Sequence, residues 1–154
     1  MSSFLIAGLI CVAAAGAEGL CAGSGVSQFM KELKQPRWSP PLWAWYLVGL
    51  AYYVACFVAL HRVLKTGLQE AAPRVALILL LALMAGNAGW NWIFFRRKNL
   101  RLSFWVFVPY SLLAGAVLWS LMQADALAAG VFALYVAYFP YALAWGYGVW
   151  KLNR

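Results

Sequence analysis

Five long apolar segments constrain this chain more than any other feature. They run from about Phe4 to Gly23, Leu42 to Leu64, Pro73 to Phe95, Leu102 to Met122 and Ala126 to Trp150. A hydrocarbon core about 30 Å thick is crossed by roughly 20 apolar residues in a helix. Inside it no water satisfies the peptide groups, so a spanning backbone must be helical or a closed barrel. The runs are continuous and lack the in-out alternation of barrel strands. The expected fold class is an all-α integral membrane protein. It is a five-helix transmembrane bundle forming a single domain over residues 1–154, with a structured loop at about 24–41 between the first two helices.

Composition agrees. The chain is 66% hydrophobic and 10% charged, where soluble domains carry about 25% charged residues. The first segment has no basic leader and no small-residue cleavage site before a soluble domain, so it reads as a retained span. The net charge of +8 does not point to nucleic acid, because the Lys and Arg residues fall at segment ends, where they set topology. Lys31, Lys34 and Arg37 in the first loop share one side with Arg96, Arg97, Lys98 and Arg101 and with Lys151 and Arg154. Only Arg62, Lys65 and Arg74 lie on the other. The chain is expected in a bacterial membrane, and the positive-inside rule puts its N-terminus outside and its C-terminus in the cytoplasm.

The first loop ends in Gln35-Pro-Arg-Trp-Ser-Pro-Pro-Leu-Trp43. Proline fixes φ and removes a backbone donor, so this stretch is no helix interior. It reads as a stiff lid that launches the second helix near Pro40 and Pro41. Its tryptophans, apolar in body with one N–H, suit the edge of an intramembrane cavity.

On the third helix Asn87, Trp90, Asn91 and Phe94 recur at i, i+3, i+4 and i+7 and share one face. Polar groups within a bilayer turn inward. Two readings stand side by side: the asparagines join helices by hydrogen bonds, or they line a pocket for a flat, mostly apolar ligand. Glu18 is the one acidic residue within a span. It is either protonated and bonded to a neighbouring helix or a functional group facing a polar cavity mouth. His61, at the end of the second helix, reads as solvated at the interface. Cys11, Cys21 and Cys56 read as small buried hydrophobes, without metal or disulfide spacing. No cofactor and no metal site is expected. Leu143, Tyr147 and Lys151 fit a loose sterol-contact pattern, and equally the aromatic and basic ending of any membrane helix.

Taken together these residues resemble the translocator protein / tryptophan-rich sensory protein family. Lys34-Gln-Pro36-Arg-Trp38-Ser-Pro40-Pro41-Leu-Trp43 is similar to its KPxWxPPxW signature. Ala51-Tyr-Tyr53 resembles its second-helix LY pair, Asn87-xx-Trp90-xxx-Phe94-Phe95 its NxxWxxxFF motif, and Trp150-Lys-Leu-Asn153 its tail. The resemblance spans nearly the whole chain. It implies five helices, a homodimer, and a pocket under the first loop for porphyrins, sterols or aromatic drugs. Carried over by position, Trp38, Pro41, Trp43, Tyr53, Asn87, Trp90 and Phe94 would line or frame that pocket, with Asn91, Tyr138 and Trp145 beside them.

The chain also departs from the pattern. Two tryptophans that the family uses in light-dependent porphyrin breakdown fall on Gly49 and Tyr138. The Trp-Tyr pair opening the lid becomes Phe29-Met30, the fourth-helix Asp falls on Val106, and the proline of the fifth helix falls on Leu134. Trp43, Trp45 and Trp145 are the tryptophans available to restore aromatic surface. The reading that follows is a membrane protein that binds a flat hydrophobic ligand (tetrapyrrole, sterol-like lipid or carotenoid) with a sensory, regulatory or transport role. The alternatives are an assembly partner of another membrane complex and, further off, an enzyme acting on the bound ligand. The two missing tryptophans lean against the enzyme.

Overall fold

The computed structural model describes residues 2–154. Seven helices build it: α1 (Ser3–Ala22), α2 (Val26–Glu32), α3 (Leu42–Thr66), α4 (Ala71–Asn91), α5 (Leu100–Ala124), α6 (Ala126–Ala137) and α7 (Phe139–Leu152). A π-helical turn, Trp92–Arg96, prolongs α4. Five helical stretches are long and apolar enough to cross a membrane: Ser3–Ala22, Leu42–Thr66, Ala71–Arg96, Leu100–Ala124 and Ala126–Leu152. Each coincides within a few residues with an expected segment.

The fifth differs from the uniform helix expected. It breaks at Tyr138 because Pro140 has no N–H to continue the ladder, and α7 starts afresh with that proline in its first turn. The first loop differs too. It was expected as a loop throughout, yet Val26–Glu32 coils into α2, which buries Phe29 and Met30. The proline run comes only after α2. Pro41 then stands immediately before α3, whose first residue is Leu42.

The spans form a ring. α1 lies between α3 and α4, α3 also meets α6, and α5 closes the circuit between α4 and the α6–α7 pair. Lipid is as apolar as leucine, so packing here gains from close van der Waals contact more than from the hydrophobic effect. The contact surfaces fit that. Ala7, Ala55, Ala59, Ala76, Ala114 and Ala128 are buried and let the helices approach around Leu60, Leu80, Leu83, Leu121 and Phe132. Large apolar side chains such as Leu20, Leu112 and Leu134 point outward, as a lipid-facing surface requires.

This aliphatic core fills the end of the bundle where α1 begins. At the turn there, Asp125 accepts Ala128 N–H at 2.8 Å, capping α6, and pairs with Arg62 at 2.7 Å. His61 is less solvated than expected: Ser3 Oγ lies 3.1 Å from its Nδ1 and Phe57 stacks on its ring.

The other end carries the lid, the basic turn after α4 and the C-terminus. Lys98 Nζ sits 5.1 Å over the Phe29 ring. Asn153 clamps the lid backbone, accepting Lys34 N–H at 3.1 Å and donating to Lys34 O at 2.8 Å. A smaller cluster of Phe29, Met30, Phe94, Trp145 and Val149 joins lid to bundle.

Candidate functional site

Between the aliphatic core and the lid lies a cavity of about 630 Å³, within the range of small-molecule sites, roughly 300–1,000 Å³. Thirteen of the side chains that line it are aromatic, and none is Lys, Arg or His. Every span contributes.

α3 supplies Trp45, Gly49, Tyr52 and Tyr53, which recur at i, i+4, i+7 and i+8 and so form one helix face. α4 supplies Asn87, Trp90, Asn91 and Phe94, the face anticipated from periodicity. Trp90 and Phe94 stack at 4.9 Å with 12° between planes. The π-helical turn beginning at Trp92 brings Phe95 edge-on to Phe94 at 4.9 Å; such turns recur at functional sites. Trp90 Nε1 donates to Ser103 O at 3.0 Å, which fixes the indole against α5. Tyr110 and Tyr135 close the inner end through a 2.8 Å hydroxyl contact.

Glu18 is the one acidic side chain in the wall. It accepts three hydrogen bonds from two other helices. Tyr53 Oη donates to Oε2 at 2.5 Å, Asn87 Nδ2 to Oε2 at 2.8 Å, and Asn91 Nδ2 to Oε1 at 3.0 Å. Both expectations for the asparagines therefore meet in one place: they join α4 to α1 and also line the cavity.

Gly49 and Tyr138, where the resemblance implies tryptophan, both face the cavity. Trp45 stands one turn from Gly49 and Trp145 two turns from Tyr138, each displaced toward the lid. They meet ring to ring with centroids 4.5 Å apart. Trp145 is 4% exposed and donates its indole N–H to Ser39 Oγ of the lid. Trp45 Nε1 is buried and has no hydrogen-bond partner among the described residues.

Of the anticipated residues, Glu18, Tyr53, Asn87, Trp90, Asn91, Phe94, Tyr138, Leu143 and Trp145 line the cavity. Trp38, Pro41 and Trp43 do not. Trp43 is 64% and Trp38 51% exposed, and Trp38 leans edge-on against Tyr141 at 5.4 Å. The resemblance implied that they line or frame the pocket, whereas α3 turns Trp45 inward and Trp43 outward. Tyr147 and Lys151 lie on the outer face of α7, with Lys151 Nζ 5.3 Å from the Tyr147 ring. Tyr52, Tyr110, Tyr135 and Phe107 were not anticipated. The i, i+4, i+7, i+8 pattern from Trp45 to Tyr53 was the available signal for Tyr52, whereas nothing local marks Tyr110 or Tyr135.

A sequence model of the TspO/MBR family matches residues 7–151. Among relatives, the chain is 26% identical to the "Tryptophan-rich sensory protein" of Cereibacter sphaeroides, over 82% of this chain and 77% of that protein. It is 27% identical to "Protein CrtK" of Rhodobacter capsulatus, over 94% and 89%. It is 26% identical to the "Tryptophan-rich protein TspO" of Chlorobaculum tepidum, over 70% and 72%.

Proposed function

The chain belongs to the TspO/MBR family, and from that premise we propose that its cavity binds a flat hydrophobic ligand within the membrane, in a sensory, regulatory or transport role. One observation carries the reading: about 630 Å³ of aromatic-lined space beneath a lid tied down at Lys34 and Ser39. A wall of stacked rings with a few polar groups suits a planar, mostly apolar molecule whose edge carries hydrogen-bonding atoms. The unpaired indole N–H of Trp45 is a buried donor that a ligand acceptor would satisfy. Tetrapyrroles, sterol-like lipids and carotenoids are the classes the family resemblance implies. Tyr53, Asn87, Trp90, Asn91, Phe94, Tyr138 and Trp145 are the proposed contacts, with Glu18 at the polar side.

The lid end is proposed to face the cytoplasm, because it gathers most of the Lys and Arg. The residues 1–154 are read as one transmembrane domain, and association as a homodimer is part of the same proposal.

The test is a tryptophan-fluorescence titration of purified protein with protoporphyrin, first in the dark, then under light with absorbance followed. Saturable quenching without bleaching supports a binder. Saturable binding with bleaching beyond a free-porphyrin control supports an enzyme in which Trp45 and Trp145 act for the displaced tryptophans. Quenching that never saturates overturns porphyrin as the ligand.

A further inference from the structure

We propose that the recess between the basic turn after α4 and the end of α7 holds the phosphate of an anionic membrane lipid. The recess shares no lining residue with the cavity, and its occupant is independent of the ligand proposed there.

The first support is charge. The recess measures about 360 Å³, and Arg97, Lys98, Arg101 and Arg154 line it with Asn99 and Trp150. None of the chain's four acidic residues lies in its wall. Among the described residues the one ion pair, Arg62–Asp125, is at the opposite end of the bundle, so no carboxylate matches these four cations. Asn99 Oδ1 caps α5, accepting Leu102 N–H at 2.9 Å, and its amide N–H groups are further donors. Like charges gathered in one recess repel one another, and a phosphate relieves that repulsion. Basic pockets between membrane helices take acidic lipid headgroups for this reason.

The second is the way the cations are held. The Arg154 guanidinium lies 4.5 Å over the Trp150 ring, and that ring stacks on Phe104 at 5.4 Å with 25° between planes. Arg97 lies 4.3 Å over Trp92. A guanidinium seated by its face keeps its in-plane N–H groups free, and that fork matches two phosphate oxygens at once. Lys98 turns the chain with φ of 51°, the one positive φ outside glycine among the described residues. Arg97 and Arg101, on either side of it, therefore line the same recess.

The third is depth in the membrane. Leu102 and Trp105 on α5 and Leu152 on α7 are exposed apolar side chains next to the recess in sequence. Exposed apolar surface on a spanning helix faces acyl chains, and tryptophan and tyrosine mark the headgroup level. Trp105, Tyr147 and Trp150 gather there. A phosphate in the recess would thus carry its chains along α5, which is why a lipid is favoured over a free phosphate.

The experiment is native mass spectrometry of the full chain released from a neutral detergent. The probes are dioleoyl phosphatidylglycerol, dioleoyl phosphatidylcholine and inorganic phosphate. One phosphatidylglycerol per chain is expected to bind about tenfold or more tighter than phosphatidylcholine, the scale of hydrogen bonds to a charged group. Arg101→Gln and Arg154→Gln should each weaken phosphatidylglycerol about fivefold, as expected for one basic side chain at an acidic lipid, and leave phosphatidylcholine unchanged. Lys31→Gln and Arg37→Gln remove the same charge from the same end of the bundle but outside the recess, and should leave both lipids unchanged. Equal affinity for the two lipids, or no saturable adduct of either, would overturn the site. Equal losses in all four variants would replace it with the general charge of that end. Inorganic phosphate that displaces phosphatidylglycerol at equal concentration would overturn the lipid as occupant in favour of a soluble phosphate.

Discussion

Pro36 of the lid sits directly on Gly148 of α7. A Cβ built at position 148 would lie 2.8 Å from Pro36 Cγ, closer than side chains approach one another. The glycine lets a rigid ring rest on the helix backbone. One turn before it Trp145 bonds Ser39, and beyond the helix end Asn153 clamps Lys34. Trp145 and Gly148 of α7, with Asn153 just past its end, thus fix three residues of the lid, whose Val26, Ser27 and Met30 line the cavity.

Gly148→Ala is therefore expected to lift the lid. The pyrrolidine ring cannot fold away, so the strain passes to residues 34–40, at a cost of about 1–3 kcal/mol as for overpacked cores. Amide hydrogen exchange across 33–41 should rise while the α3–α4–α5 core stays protected. Unaltered exchange in the lid would show that this contact does not hold it.

Trp145→Phe keeps the aromatic body against Trp45 and Phe94 and removes the donor to Ser39. The expected loss is about 1 kcal/mol, the net worth of one hydrogen bond, with faster proteolysis of the lid. Trp145→Ala removes a nearly fully buried ring and should cost about 3–5 kcal/mol, seen as a lower thermal midpoint in detergent. Equal midpoints for the two variants would place Trp145 outside the packing described.

Asn87→Ala and Trp90→Ala are expected to weaken protoporphyrin binding about tenfold each, on the scale of a lost hydrogen bond or aromatic contact. Asn87→Ala should also reduce stability by about 1 kcal/mol, since Glu18 loses one of three donors. Unchanged affinity in both variants would move the ligand out of this cavity.

The turn between α5 and α6 makes stability depend on pH. The Arg62 guanidinium, helped by the Ala128 N–H, holds the Asp125 carboxyl below its ordinary value of 3.8. The unfolded chain therefore binds more protons between the lowered and the ordinary value, and stability rises with pH across that window. The contribution is complete above about 3.8 and is lost as pH falls through the lowered value. Asn caps a helix as well as Asp does, so Asp125→Asn isolates the charge. The difference in thermal midpoint between wild type and Asp125→Asn should be constant from neutral pH to about 4 and vanish in stronger acid. Asp125→Ala, which loses the cap as well, should cost about 1 kcal/mol more. A difference that persists in acid would remove the ion pair from the account.

The amino-acid sequence by itself determined the five crossings, because backbone groups in lipid must bond within their own helix and only apolar runs of that length can do so. It determined the shared face of Asn87, Trp90, Asn91 and Phe94, because the period of one helix sets which side chains are neighbours. It also determined that Gln35 to Pro41 is no helix, because proline acts locally. The tertiary structure alone decided which way each helix turns about its axis. In water the apolar face must turn inward, but in a bilayer lipid and protein interior are both apolar, and hydropathy leaves that rotation open. The rotation of α3 puts Trp45 inside and Trp43 outside. Together with the fold of α7 it brings Trp45 against Trp145 from the far end of the chain. The docking of α1 on α3 and α4 places Glu18 under Tyr53, Asn87 and Asn91, and no periodicity within α1 names those partners. Phe29 and Met30 give α2 an inward face only once Phe94 and Trp145 are there to receive it.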